Sequence, residues 1–226
     1  MRAWAALIHV FTALGAVCAL MAALAVFDHS APRLFFWLAV ALFVDGIDGT
    51  FARAVRVSER LPRFSGERLD LVVDYLTYVF VPALALLTWR YLDGTTGLVL
   101  AFGILLSSLF HFSDLESKTK DNCFVGFPAV WNIVAFYIFA LDLSSPAASA
   151  LVALAVAGTF VPMPWVHPLR VVALRNVTLL MTAVFCGAGL WTVARGFPAE
   201  PLAQAALLAA AAYFIALSVL WSLRTK

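Results

Sequence analysis

An all-α integral membrane protein, with about eight transmembrane helices in one bundle, is the fold class this sequence predicts. Three observations predict it. Of 226 residues, 64% are hydrophobic and only 12% charged, whereas a soluble domain carries about 25% charged residues. The apolar residues gather into runs close to the ~20 residues that cross a bilayer as a helix. Turn chemistry separates the runs, and arginine and lysine collect at alternate breaks.

Each element follows in order. The first run, 3–27, is too long for the apolar core of a signal peptide and lacks its flanks, so it reads as a retained helix. Asp28 to Pro32 turns the chain into 33–56, and Pro62 to Gly66 separates that run from 66–91. Asp93-Gly94 introduces 95–113, and the polar stretch Ser113 to Asn122 introduces 123–141. Ser144 to Pro146 precedes 147–162, the shortest run, whose exit is rich in proline. Pro162 to Pro168 leads into 170–194, and Gly196 to Pro201 into 200–223. No shift in composition divides the chain, so one transmembrane catalytic domain over 1–226 is expected. Cys18, Cys123 and Cys186 have no metal-ligand or redox spacing and read as buried apolar residues.

Orientation comes from the cations. With the N-terminus inside, Arg2, Arg53, Arg56, Arg60, Arg63, Arg68, Lys118, Lys120, Arg170, Arg175, Arg224 and Lys226 fall inside. Arg33, Arg90 and Arg195 fall outside, so the division is 12 to 3 of the 15. The loop arginines between the second and third runs then have two readings. They mark topology and meet anionic headgroups, or one or two of them also hold a phosphate group.

One stretch carries chemistry. Asp45 and Asp48 are three residues apart, and Asp70 and Asp74 four apart, so each pair shares a face of its helix. In apolar surroundings an unpaired carboxylate is costly. If the two helices are neighbours, four carboxylates can converge into a hard, oxygen-only site of the kind that holds Mg²⁺ or Mn²⁺. Gly49 and Ala52 continue the first face, and Gly66 lies one turn before Asp70, leaving a shelf for a ligand. Arg53 offers a forked cation for phosphate. Together these residues suggest a nucleotide diphosphate.

Asp48, Gly49, Ala52 and Arg53 fill a D-G-x-x-A-R pattern with Asp45 three residues ahead of it, and after a gap Gly66, Asp70 and Asp74 fill G-x-x-x-D-x-x-x-D. This pattern resembles the signature of the CDP-alcohol phosphatidyltransferases. The gap from Arg53 to Gly66 is about one helical turn longer than in most of that family. That gap resembles the choline-using bacterial branch. So do Ala3-Trp4, His9-Val10-Phe11-Thr12-Ala13, Val73-Asp74-Tyr75, Gly126-Phe127-Pro128-Ala129-Val130-Trp131-Asn132 and His167-Pro168-Leu169-Arg170. The resemblance covers the chain to about residue 175; beyond it only the hydrophobic pattern remains.

The resemblance implies a phosphatidyltransferase-like helical core. It also implies transfer of the phosphatidyl group of CDP-diacylglycerol to choline, releasing CMP. It assigns metal binding to Asp45, Asp48, Asp70 and Asp74, with two Mn²⁺ or Mg²⁺ ions, and gives Asp74 the further role of base for the acceptor hydroxyl. Gly49, Ala52, Arg53 and Gly66 would hold CDP-diacylglycerol. A homodimer in the bacterial inner membrane, its site facing the cytoplasm among membrane lipids, is implied as well; nucleic acid is not an expected partner. No serine, cysteine or histidine in the motif is placed as a covalent nucleophile, which favours direct in-line attack.

Choline is a permanent cation that binds ring faces. Tyr78 follows Asp74 by one turn, so it is the first candidate for that pocket. Tyr75, Trp131 and Asn132 are the others, against the blander reading that such aromatics simply pack in a membrane. Arg170 and Arg175 leave open a phosphate-bearing acceptor. The histidines, His9 among them, read as structural, and the Asp114–Asp121 loop reads as solvated or as a cover over the site. Serine or another small alcohol is the alternative acceptor, and an alcohol panel separates them. Hydrolysis by water predicts CMP release without choline. A cation transporter would spread acids through the membrane depth, whereas here the remaining acids lie mostly in loops.

Overall fold

The computed structural model describes residues 2–55, 57–119, 123–166, 168 and 174–224. Arg56, Lys120, Asp121, Asn122, His167, Leu169, Arg170 and Lys226, which entered the sequence reading, lie outside the described residues. The first apolar runs become α1 (Arg2–Phe27) and α2 (Ala31–Val55), with a short α3 (Val57–Arg60) at the end of α2. The third run becomes a continuous rod: α4 (Gly66–Asp74), a π-helical stretch (Tyr75–Phe80) and α5 (Val81–Thr88). Then come α6 (Gly94–Ser113), α7 (Trp131–Ala140), α8 (Ser145–Thr159), α9 (Arg175–Arg195) and α10 (Pro201–Arg224).

Among the described residues, six of these elements are long and apolar enough to cross a membrane: α1, α2, the α4–α5 rod, α6, α9 and α10. The chain is a multi-pass membrane protein. The rod forms the centre of the bundle and α9 its margin, since 44% of the rod's apolar window is buried against 11% for α9. α1 presents one helical face to its neighbours, through His9, Thr12, Gly15, Ala19, Ala22 and Val26. Small residues on that face allow close approach. Gly15 leaves the notch that takes the Val73 side chain, and His9 lies against Gly66. α1 and α4 therefore run parallel, with His9 level with Gly66 and Gly15 level with Val73.

The opposite end of the bundle is fastened by aromatic rings. Phe35 meets Phe139 at 5.1 Å and Phe197 at 4.9 Å between centroids. The turns there are braced by ion pairs from Arg33 to Asp28 at 2.7 Å, and from Arg195 to Glu200 at 3.1 Å. Arg90 pairs with Asp93, and its hydrogen bonds hold the Asp93 carboxyl below the usual carboxylate range.

The fifth and sixth runs depart from the expected spans. Residues 123–130 are not helical. β1 (Phe124–Val125) pairs antiparallel with β2 (Pro164–Trp165), placing Phe124 opposite Trp165. Gly126 adopts φ +75° and packs its Cα against the carbonyl of Thr159, a place no side chain could occupy. Pro128 lacks an N–H, and Ala129 takes φ +54°, so helix begins only at Trp131. α7 has 10 residues and α8 has 15, about 15 and 22 Å long, short of the ~30 Å hydrocarbon core. Among the described residues these two bring the apolar helices to eight, but both are too short to span alone.

Candidate active site

α2 and the rod bring the acids together. Asp45 and Asp48 lie in the last turns of α2. The start of α4 is fixed by Ser65, whose hydroxyl accepts from the Arg68 backbone N–H at 3.2 Å. From that cap, Gly66, Asp70 and Asp74 follow on successive turns. Asp45, Asp70 and Asp74 each offer a carboxylate oxygen within 4.8 Å of the others. Asp48 lies outside that group, only 6% exposed, yet close enough to act electrostatically on all three. Two like charges about 4 Å apart repel by about 4 kcal/mol at an effective dielectric constant of about 20. A cluster of this kind needs protons or a cation.

The donor set fits a hard cation. All its ligands are oxygens, which suits Mg²⁺ or Mn²⁺ and not a soft metal. Among the described residues, Asp74 Oδ1 is buried and has no hydrogen-bond partner, so a coordination position is open on it. Asp45 is held from the other side: Tyr78 donates its hydroxyl to Asp45 Oδ2 at 2.6 Å. The three-acid cluster could therefore bind a metal.

The shelf beside it is also partly filled. The Arg53 guanidinium folds back over Gly49, its Nη1 3.2 Å from where a Cβ on that glycine would sit. Ala52 is half-buried. At Gly66 the missing side chain is replaced by His9, whose Cε1 comes 3.2 Å from the equivalent position.

No protein-family model matches the chain. Individual proteins do match. The phosphatidylcholine synthase of Bradyrhizobium diazoefficiens is 45% identical over 212 residues, covering 93% of this chain and 79% of its own length. That of Pseudomonas aeruginosa is 41% identical over 226 residues, covering 97% and 91%. That of Agrobacterium fabrum is 39% identical over 206 residues, covering 91% and 86%. This chain belongs to the phosphatidylcholine synthase family.

Within this phosphatidylcholine synthase family member, the aromatic candidates separate. Tyr78 touches the acid cluster directly and is 9% exposed. Tyr75 turns away to α6, donating to the Leu105 carbonyl at 3.2 Å and meeting Phe112 edge-on. Trp131 is fully buried, its indole donating to Ser108 Oγ at 2.8 Å and its ring against Phe127 at 4.9 Å. No face of it is open in this conformation. Asn132 is buried, and its Oδ1 accepts from the Ile133 backbone N–H.

Two residues gain importance that the sequence reading did not give them. Lys118 is close enough to act electrostatically on Asp45, Asp70 and Asp74. It sits on an arm held by a bridge to Phe124 and by Thr119 N–H donating to the Cys123 carbonyl at 2.8 Å. Only its place in a polar loop on the side of the acids hints at this in the sequence. His9 was readable as one position of the packed α1 face, but not as the partner of Gly66.

Proposed function

We propose that this chain transfers the phosphatidyl group of CDP-diacylglycerol to choline, giving phosphatidylcholine and CMP. The carrying observation is the carboxylate cluster of Asp45, Asp70 and Asp74 within 4.8 Å, in a chain that belongs to this family. Asp45, Asp48, Asp70 and Asp74 hold the divalent ions, two of Mn²⁺ or Mg²⁺. The chemistry they supply when bound there is to offset the charge of the diphosphate and the charge that builds on departing CMP. Gly49, Ala52, Arg53 and Gly66 bind the donor: the small residues leave room, and the Arg53 fork reaches phosphate oxygens.

The reaction is a direct displacement. The choline oxygen forms a bond to the phosphatidyl phosphorus as the bond from that phosphorus to the CMP oxygen breaks. Asp74 takes the hydroxyl proton, and its unpartnered Oδ1 supports that role. Tyr78 fixes Asp45 through its hydroxyl, and its ring is the face this reading offers to the acceptor. Tyr75, Trp131 and Asn132 stand behind it as supports of the pocket, since each is engaged with neighbouring helices or its own backbone.

The test is CMP release by purified protein, with CDP-diacylglycerol and choline, serine, glycerol 3-phosphate or no acceptor. Release requires choline, ceases when divalent metal is chelated and returns with Mn²⁺ or Mg²⁺. Equal release without any alcohol, or release with serine but not choline, overturns the assignment.

The site faces the cytoplasm of the bacterial inner membrane in this reading, supported by the cation asymmetry at the helix ends. A homodimer belongs to the same reading through the family resemblance. Ser65→Cys is expected to react with an impermeant thiol reagent only from the cytoplasmic side, and Thr95→Cys only from the periplasmic side. Labelling of Ser65→Cys from the periplasm reverses the topology.

A further inference from the structure

Among the described residues, few buried side-chain polar atoms lack a hydrogen-bond partner, and His9 Nε2 is one of them. Such atoms are uncommon because a buried donor or acceptor left unpaired carries its full desolvation cost. The imidazole is not loosely placed. Its Cε1 and Nδ1 edge lies against Gly66, 3.2 and 3.7 Å from where a Cβ would be. A Cβ on Gly66 would press on the ring, which would have to give by a few tenths of an ångström. The same helix face carries Thr12, which is buried, and Gly15, which receives Val73. α1 is therefore locked against α4, and the ring has little freedom to seek another partner.

Among the described residues, the group of side chains within 4.8 Å of one another that could hold a metal contains Asp45, Asp70 and Asp74 and no histidine. Nε2 thus has no place in that cluster. Its level in the bundle is also informative. Gly66 opens α4 next to the loop, one turn before Asp70 and two before Asp74. Tyr78, the aromatic in contact with the cluster, is a further turn inward. A trimethylammonium group has no use for an N–H donor. The polar half of the donor, rich in hydroxyl and phosphate oxygens, does have such a use, and it enters from the aqueous end.

We propose that His9 is a donor-binding residue whose Nε2 hydrogen-bonds the nucleotide part of CDP-diacylglycerol where it passes over Gly66. This rests on the reading of the motif as the CDP-diacylglycerol site. Gly66 then has a second purpose beside leaving room for the ligand: its lack of a side chain lets the imidazole lie close against α4. His9 selects and positions the donor and takes no part in moving the proton, which remains with Asp74.

Two substitutions separate the hydrogen bond from the packing. His9→Gln places an amide nitrogen near the Nε2 position. His9→Asn keeps a polar side chain at the Nδ1 position but does not reach as far. Each is purified beside the wild type. Measured are KM for CDP-diacylglycerol, KM for choline, and thermal stabilisation by CMP in the presence of Mn²⁺. His9→Asn is expected to raise the donor KM and weaken CMP binding by about tenfold, the size of one hydrogen bond. Its choline KM and Mn²⁺ requirement stay at wild-type values, and His9→Gln recovers most of the donor affinity. If wild type itself neither binds CMP nor turns over the donor, the reading of the site falls. If wild type does both and His9→Asn matches it, or if both KM values rise together, His9 serves packing alone and the inference is wrong.

Discussion

Asp70→Asn and Asp74→Asn each lower choline-dependent CMP release by at least about a hundredfold, while the protein still inserts and folds. Loss of a group that merely supports a metal ligand costs ten- to a hundredfold; loss of the ligand itself costs no less. Asparagine keeps the shape and removes the charge. Asp45, Asp70 and Asp74 crowd their oxygens within 4.8 Å, so each such replacement removes a group that needs a proton or a cation in the metal-free protein. The signature is therefore double: activity vanishes, yet thermal stability in chelator is equal to or above wild type. In Mn²⁺ the order reverses, because the wild type gains more from the ion than a variant with one ligand fewer. Asp45→Asn and Asp48→Asn follow the same pattern. Near-normal turnover in any two of these variants shows that the metal site is misassigned.

That cluster was legible because its signal is local. Spacings of three and four on helices specify faces, and an apolar setting gives carboxylates few other purposes. The fold supplied what spacing could not: the carboxylates of α2 and α4 do converge, gathering three acids closely while leaving Asp48 one step aside. The long spans were legible for the same reason, since length and hydropathy decide them. The segment 123–130 was not. Its residues are apolar enough for a helix, but a strand pairing across some forty residues, a left-handed Ala129 and the carbonyl of Thr159 behind Gly126 decide its backbone. Those are non-local facts. Trp131 shows the same limit. Sequence placed an aromatic near the cytoplasmic end of a helix; packing gave it to Ser108 and Phe127, with no exposed face.

The π-helical stretch Tyr75–Phe80 begins directly after Asp74 and had no mark in composition. Such stretches are frequent at functional sites, and here it determines how Tyr78 reaches the acids. Sequence gave Tyr78 one task, a ring face for choline. The hydroxyl bond to Asp45 at 2.6 Å gives it another. Tyr78→Phe removes only the hydroxyl. A hydrogen bond to a charged group is worth about 1.5–3 kcal/mol, so kcat is expected to fall by about ten- to a hundredfold. The Mn²⁺ requirement rises because Asp45 is no longer held, while the choline KM stays near wild type because the ring remains. Tyr78→Leu removes the ring as well. One cation–ring contact is worth about 0.5–2 kcal/mol, so this variant adds a rise in choline KM of about tenfold, with the donor KM unchanged. Steady-state kinetics on both variants, varying choline, donor and Mn²⁺ in turn, read the two tasks separately. A choline KM equal in Phe and Leu variants removes Tyr78 from the acceptor pocket and leaves it as the clamp on Asp45. A wild-type kcat and Mn²⁺ requirement in Tyr78→Phe removes the clamp instead.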